Sequence, residues 1–118
     1  MKKEMTKQLI NSLQKKGVQM IRQHASGSES PKAYAFRGGR KTYTPDIVAE
    51  FENRHDFFAV EDKFRKKDIP DMVAKWILFG VTARNKGGRF YLVVNEDESD
   101  KFREIVTEKA LSAEIITL

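Results

Sequence analysis

The sequence predicts an α/β fold: a central mixed β-sheet flanked by α-helices. Three observations predict it. Two neighbouring segments, Pro45–Phe51 and Phe57–Lys63, are dense in β-branched and aromatic residues. Apolar residues recur at helical spacing over residues 2–16 and again from Pro70 to about Asn85. Strand-like and helix-like stretches interleave in the order α-β-hairpin-β-β-α-β-α-β, and helices laid on a sheet are the stable way to bury both kinds of face.

Each element has its own grounds. Met5, Leu9 and Leu13, with Ile10 beside them, form one apolar stripe on the first helix, and Gly17 is a fitting stop. Val18–Arg22 is short and apolar enough for a strand. His24–Lys32 is rich in small and polar residues and reads as a loop. Tyr34–Thr44 reads as a hairpin about Arg37-Gly38-Gly39-Arg40, with aromatic residues on both arms. The two clear strands are joined by the polar turn Glu52–Asp56, and Arg65–Asp68 is a charged loop. Pro70 suits the first turn of the second helix, whose stripe is Met72, Val73, Trp76, Phe79, Gly80 and Ala83. Gly87-Gly88 ends that helix and Arg89–Val94 is a strand. Asp97 or Ser99 can cap a third helix to about Ala110. Ile115–Leu118 is expected as a final edge strand.

The 118 residues suit one domain spanning 1–118, long enough to bury a core without staples. The absence of cysteine excludes a disulfide framework, a thiol nucleophile and a Cys-ligated zinc site. With only His24 and His55, a His-rich metal centre is not expected. No apolar run is long enough for a membrane span. The start, Met1-Lys2-Lys3-Glu4, carries no signal-peptide stretch, so a cytoplasmic protein is expected. The formal charge is +5, unevenly spread. From Glu96 onward there are 7 acids and 3 bases, which leaves residues 1–95 with 19 bases and 10 acids. Such a basic body favours a polyanionic partner, nucleic acid first.

The chemistry concentrates on the two clear strands. A hairpin with a two-residue turn at Asn53-Arg54 sets Asp46 opposite Glu61 on one side of the sheet, with Lys63 two residues on and pointing the same way. Ile47, Ala49, Phe51, Phe58 and Val60 form the opposite, core side. Two carboxylates and an ammonium then share one patch. Two carboxylates suffice for Mg²⁺ when water and substrate phosphate complete the shell. The cation can activate water and stabilise charge on phosphorus, and an ammonium can assist. An exposed charge network is the alternative reading of the same three residues. Pro-Asp followed 15 residues later by Glu-x-Lys, with apolar strands between, is the more specific pattern.

Pro45-Asp46 with Glu61-Asp62-Lys63 resembles the PD-(D/E)XK nuclease signature. The stretch Arg22-Gln23-His24-Ala25-Ser26-Gly27-Ser28, followed by Pro45-Asp46-Ile47-Val48-Ala49, is more closely similar to the archaeal-type Holliday junction resolvases. The basic residues Arg65, Lys66 and Lys67 after the Glu-x-Lys strand, and Gly17 before the first strand, fit that family as well. The resemblance covers roughly residues 5–95. It implies a restriction-endonuclease-like core and a Mg²⁺-dependent endonuclease, with Mn²⁺ able to substitute, acting in DNA recombination and repair. It implies Asp46 and Glu61 as metal ligands, Lys63 as the catalytic lysine and Ser26 as a catalytic loop serine near the scissile phosphate. Arg22 and Ser28 are implied as DNA contacts, branched DNA as substrate and a homodimer as the working form. Other nucleases of the superfamily, of restriction or transposon type, and a DNA-binding protein of this fold without cleavage are the competing readings.

Three departures from the family pattern are visible. The helix-one glutamate is expected eleven residues before the glycine matching Gly17, where Thr6 stands, and Glu4 lies two residues away. The segment from Ser28 to Asp46 is longer and supplies the hairpin. Met72 falls near the place of a second-helix glutamine. Of the remaining cations, Arg37, Arg40 and Lys41 on the glycine turn, and Arg65, Lys66 and Lys67 beside the site, are expected to contact phosphates. Trp76 and Phe79 are expected in the core, His24 in a loop, and Glu96-Asp97-Glu98 at a helix start.

Overall fold

The computed structural model describes residues 2–18, 20–23 and 31–118. The elements are α1 (Lys2–Gln14), β1 (Met20–Gln23), β2 (Ile47–Phe51), β3 (Arg54–Glu61), α2 (Ile69–Asn85), β4 (Phe90–Val94), α3 (Ser99–Glu108) and β5 (Glu114–Thr117). Short 3₁₀ turns, Lys66–Asp68 and Glu96–Glu98, lead into α2 and α3. The strands form one sheet in the order β1-β2-β3-β4-β5. β1, β2 and β3 are antiparallel, whereas β4 runs parallel to β3 and β5 to β4. Parallel neighbours need a crossover, and α2 and α3 provide the two. The expected mixed sheet with flanking helices is the observed one.

Both faces of this sheet are covered. Met5, Leu9 and Leu13 of α1 pack on Ile47, Ala49, Phe58, Val60 and Val93. Met72, Trp76, Phe79 and Ala83 of α2, with Phe102 and Ile105 of α3, pack on Val48, Phe57, Ala59, Phe90, Leu92 and Val94. A strand buried on both sides reads as a continuous apolar run rather than an alternation, which is why Phe57-Phe58-Ala59-Val60 shows no polar partner face. The expectation of a polar face through Asp46, Glu61 and Lys63 is corrected here: α2 covers most of that face, and polarity survives only at its end.

The register also differs from the expected one. β2 turns into β3 through Glu52-Asn53, so Phe51 pairs with Arg54 and Ile47 with Phe58. Asp46 therefore extends toward Ala59, not Glu61. The slip is two residues, and only an odd slip would move side chains of the paired strands to the other face; Asp46 itself stands just before β2, with Lys2 of α1 against it, whereas Glu61 is held from α2. β3 closes at Glu61, and Lys63 lies beyond it in an irregular, exposed segment.

The expected hairpin is present in abbreviated form. Tyr34 and Tyr43 exchange backbone hydrogen bonds of 2.8 and 2.7 Å, and Gly39 N donates to Phe36 O at 2.8 Å across the tip. At the far end of the molecule Gly88 runs against β3 so tightly that a Cβ there would lie 1.9 Å from the carbonyl oxygen of His55.

Candidate active site

The site is built at the end of β3, where β2 begins. Pro45 is buried and has no N–H to satisfy, and it restricts Thr44 before it to extended backbone. The chain thus enters β2 with Asp46 poised at its mouth. Asp46 N donates to Phe58 O at 3.0 Å, and Val60 N donates to Asp46 Oδ2 at 2.7 Å. The carboxylate takes the place of a ladder carbonyl, and the other oxygen, Oδ1, faces outward. There it meets Lys2 of α1, whose Nζ is 2.9 Å away. Burial tends to lower the pKa of this ammonium, but the charge and hydrogen bond of Asp46, with the charges of Glu61 and Asp62, outweigh it and hold it above the ordinary lysine value.

Glu61 is held differently. Lys75 Nζ lies 2.7 Å from its Oε2, and Trp76 Nε1 donates to the same oxygen at 3.1 Å. The backbone just beyond is pinned from β4. Asn95 Nδ2 donates to the Asp62 carbonyl at 2.6 Å, while Asn95 Oδ1 accepts from Glu98 N at 3.0 Å. Asn95, not Asp97 or Ser99, provides the side-chain cap at this helix approach.

Asp46 stands just before β2 and Glu61 closes the neighbouring β3. Two carboxylates without His or Cys form a hard-oxygen donor set, the kind Mg²⁺ accepts alongside water and phosphate oxygens. Among the described residues no three or more His, Cys, Asp or Glu side chains form a group that could hold a metal ion. Glu4 is exposed and Thr6 Oγ1 is turned back to the Lys2 carbonyl at 2.9 Å. The group that α1 presents to Asp46 is Lys2.

The family model described as archaeal Holliday junction resolvase (Hjc) matches residues 2–112. The chain belongs to this family. The match takes in everything from α1 through α3, beyond the stretch that carries the motifs. No curated protein and no solved structure matches the chain. Membership makes the protein a nuclease acting on DNA, of the Holliday junction resolvase kind. No helix among the described residues is long and apolar enough to cross a membrane.

The remaining site residues divide into three groups. Ser26 and Ser28, with His24, lie outside the described residues. Arg22 is engaged by Glu50 through a short ion pair, and Lys41 by Asp71 at 2.5 Å. Arg37, Arg40, Lys63, Arg65, Lys66 and Lys67 are exposed and have no carboxylate partner among the described residues. Sequence reasoning missed Lys2, Lys75, Asn95 and the polar role of Trp76. Only Asn95 had a visible signal, as a capping residue type between a strand and a helix. Trp76 was expected in the core and is there, 1% exposed, but its N–H reaches out of the core to Glu61.

Proposed function

We propose that this member of the family is a Mg²⁺-dependent endonuclease that cuts branched DNA, four-way junctions above all, as a homodimer. Asp46 and Glu61 act as the metal ligands and Lys63 as the catalytic lysine. The observation that supports the reading is the anchoring of the two carboxylates beside β3: Asp46 by Val60 N and Lys2, and Glu61, the last residue of β3, through Oε2 by Lys75 and Trp76. A bound divalent cation, Mg²⁺ or Mn²⁺ in its place, supplies water activation and charge stabilisation on the phosphate. Asp46, clasped to Val60, and Glu61, held from α2, orient the cation. Lys63, on the exposed segment, is free to face the scissile phosphate and offset its growing negative charge. Arg37, Arg40, Arg65, Lys66 and Lys67 grip flanking phosphates, Arg22 and Ser28 contact the same DNA, and Ser26 acts beside the scissile phosphate, as the sequence resemblance implies.

Resolution of a junction needs two symmetric cuts, and a two-fold dimer of single-site chains provides them. Ile77 and Val81, one turn apart on the outer side of α2 and 42% and 49% exposed, give an apolar patch suited to self-association. Residues 1–118 serve as one nuclease domain, at work in the cytoplasm. Incubation with four-way, flap, single-stranded and linear DNA, with and without Mg²⁺, tests the reading, and light scattering at micromolar concentration tests the dimer. Metal-dependent paired nicks confined to the junction are expected. Equal cleavage of linear duplex would leave a general nuclease, and binding without cleavage in either metal would leave a DNA-binding protein.

A further inference from the structure

The hold on Glu61 is one-sided. Both donors, Lys75 Nζ and Trp76 Nε1, converge on Oε2, and no donor among the described residues reaches Oε1. Both donors come from one turn of α2. The Trp76 ring is fixed by packing, edge-on to Phe102 of α3 with centroids 6.0 Å apart. An indole N–H inside a core needs an acceptor, and here the acceptor is the carboxylate read above as a metal ligand. Core packing between α2 and α3 therefore decides where that carboxylate points.

We infer that Trp76 is a positioning residue for metal binding: with Lys75 it fixes Oε2 of Glu61 and presents Oε1 to the divalent cation. This rests on Glu61 being a ligand. A glutamate has several rotors, and freezing them during folding removes that cost from the metal-binding step. Partners that orient a ligand commonly change metal affinity by about 10–100-fold. The two donors act differently. The lysine brings a positive charge that opposes the cation, whereas the indole is neutral and orients without repulsion. Trp76 is thus the cleaner of the two positioning groups.

The test uses the fact that Trp76 is the single tryptophan of the chain. In protein carrying ¹⁵N-labelled tryptophan, the indole N–H resonance should move upfield and exchange faster in Glu61→Ala without metal. In wild-type protein it should shift saturably with Mg²⁺, and Asp46→Asn should abolish that shift. Calorimetry with Mn²⁺ should show Trp76→Phe, which keeps the ring and loses the N–H, binding about tenfold more weakly. Its metal-free affinity for junction DNA should be unchanged. Wild-type protein that binds no divalent cation overturns the metal reading itself. Wild-type binding together with unweakened Trp76→Phe overturns only the role of Trp76. Should that variant not fold, an indole resonance indifferent to Glu61→Ala overturns the inference equally well.

Discussion

The carboxylate of Asp46 accepts the backbone N–H of Val60 at 2.7 Å, so the residue that opens β2 also completes the hydrogen bonding of β3. Asp46 thereby has a structural task beside its proposed catalytic one, and the two can be separated. Asp46→Asn keeps an acceptor for Val60 and should change stability by less than about 1 kcal/mol, while Mg²⁺-dependent cleavage is lost. Asp46→Ala leaves the buried N–H of Val60 unpaired and should cost a further ~1–3 kcal/mol. Chemical denaturation alongside a nicking assay reads both. Equal stability of the two variants would show that the clasp contributes nothing, and cleavage by Asp46→Asn would remove Asp46 from the ligand set.

Gly88→Ala should destabilise the fold without touching the chemistry. The new Cβ would lie 1.9 Å from His55 O and 2.5 Å from its carbonyl carbon. The backbone there is pinned, since Phe57 N donates to Arg89 O at 2.9 Å and Arg89 N to the buried Asp56 Oδ1 at 3.0 Å. Overpacking of this kind costs about 1–3 kcal/mol. His55 and Glu61 lie at opposite ends of β3, so cleavage well below Tm should be retained. A wild-type Tm would mean the strand can yield.

Much of this was legible in the chain. The helix stripes, the hairpin tip at Gly38-Gly39 and the strand pair about Asp46 and Glu61 rest on local periodicity and turn chemistry, which neighbouring residues carry. The register was not legible, because Glu52, Asn53 and Arg54 are all acceptable turn residues, and a two-residue slip leaves every side chain on its own face, so the apolar pattern does not choose between the two pairings. Lys2, Lys75 and Trp76 were illegible as site groups for a related reason. They reach Asp46 and Glu61 across 14 or more positions of sequence, and only the crossing of helices over the strand end joins them. Trp76 sits on an apolar stripe, and a stripe says which way a ring faces but not what its N–H will meet.

The hairpin should detach from α2 at both extremes of pH. Asp71 accepts from Lys41 Nζ at 2.5 Å and from Tyr43 OH at 3.0 Å. The hydrogen bond from Lys41 leads in holding the Asp71 carboxyl below its ordinary value. A depressed carboxyl pKa gives stabilisation that is present above the unfolded value and lost as pH falls through the folded one. The hydrogen bond to Asp71 likewise raises Lys41, and local desolvation with the hydroxyl's own hydrogen bond to Asp71 raises Tyr43. Raised pKa values give stabilisation that is lost as pH climbs through them, in the alkaline range. Protection of the Tyr34 and Tyr43 amides, measured relative to their intrinsic exchange at each pH, should therefore be greatest between these limits. Asp71→Asn should flatten the profile, and an unchanged profile would mean the Tyr34–Tyr43 bridge alone holds the hairpin.

The cations around the site should separate by whether they are already paired. Each phosphate contact by a free cation releases about one counterion, worth roughly 0.9 in the slope of log K against log salt. Arg40, Lys66 and Lys67 are exposed and have no carboxylate partner among the described residues, whereas Lys41 is engaged by Asp71. Replacing Arg40, Lys66 or Lys67 by alanine should lower the slope by about one each and weaken binding to all sequences alike, because phosphates carry no base information. Lys41→Ala should change the slope far less, since removing it also frees Asp71, and should act instead by loosening the hairpin. Anisotropy titrations of a labelled junction between 50 and 200 mM salt, about the range over which such contacts show clearly, distinguish the two. A full unit lost in Lys41→Ala with none lost in Arg40→Ala would reverse the assignment. The ion pair with Asp71 would then be one that DNA displaces, and the hairpin would meet DNA along its α2 side rather than at its tip.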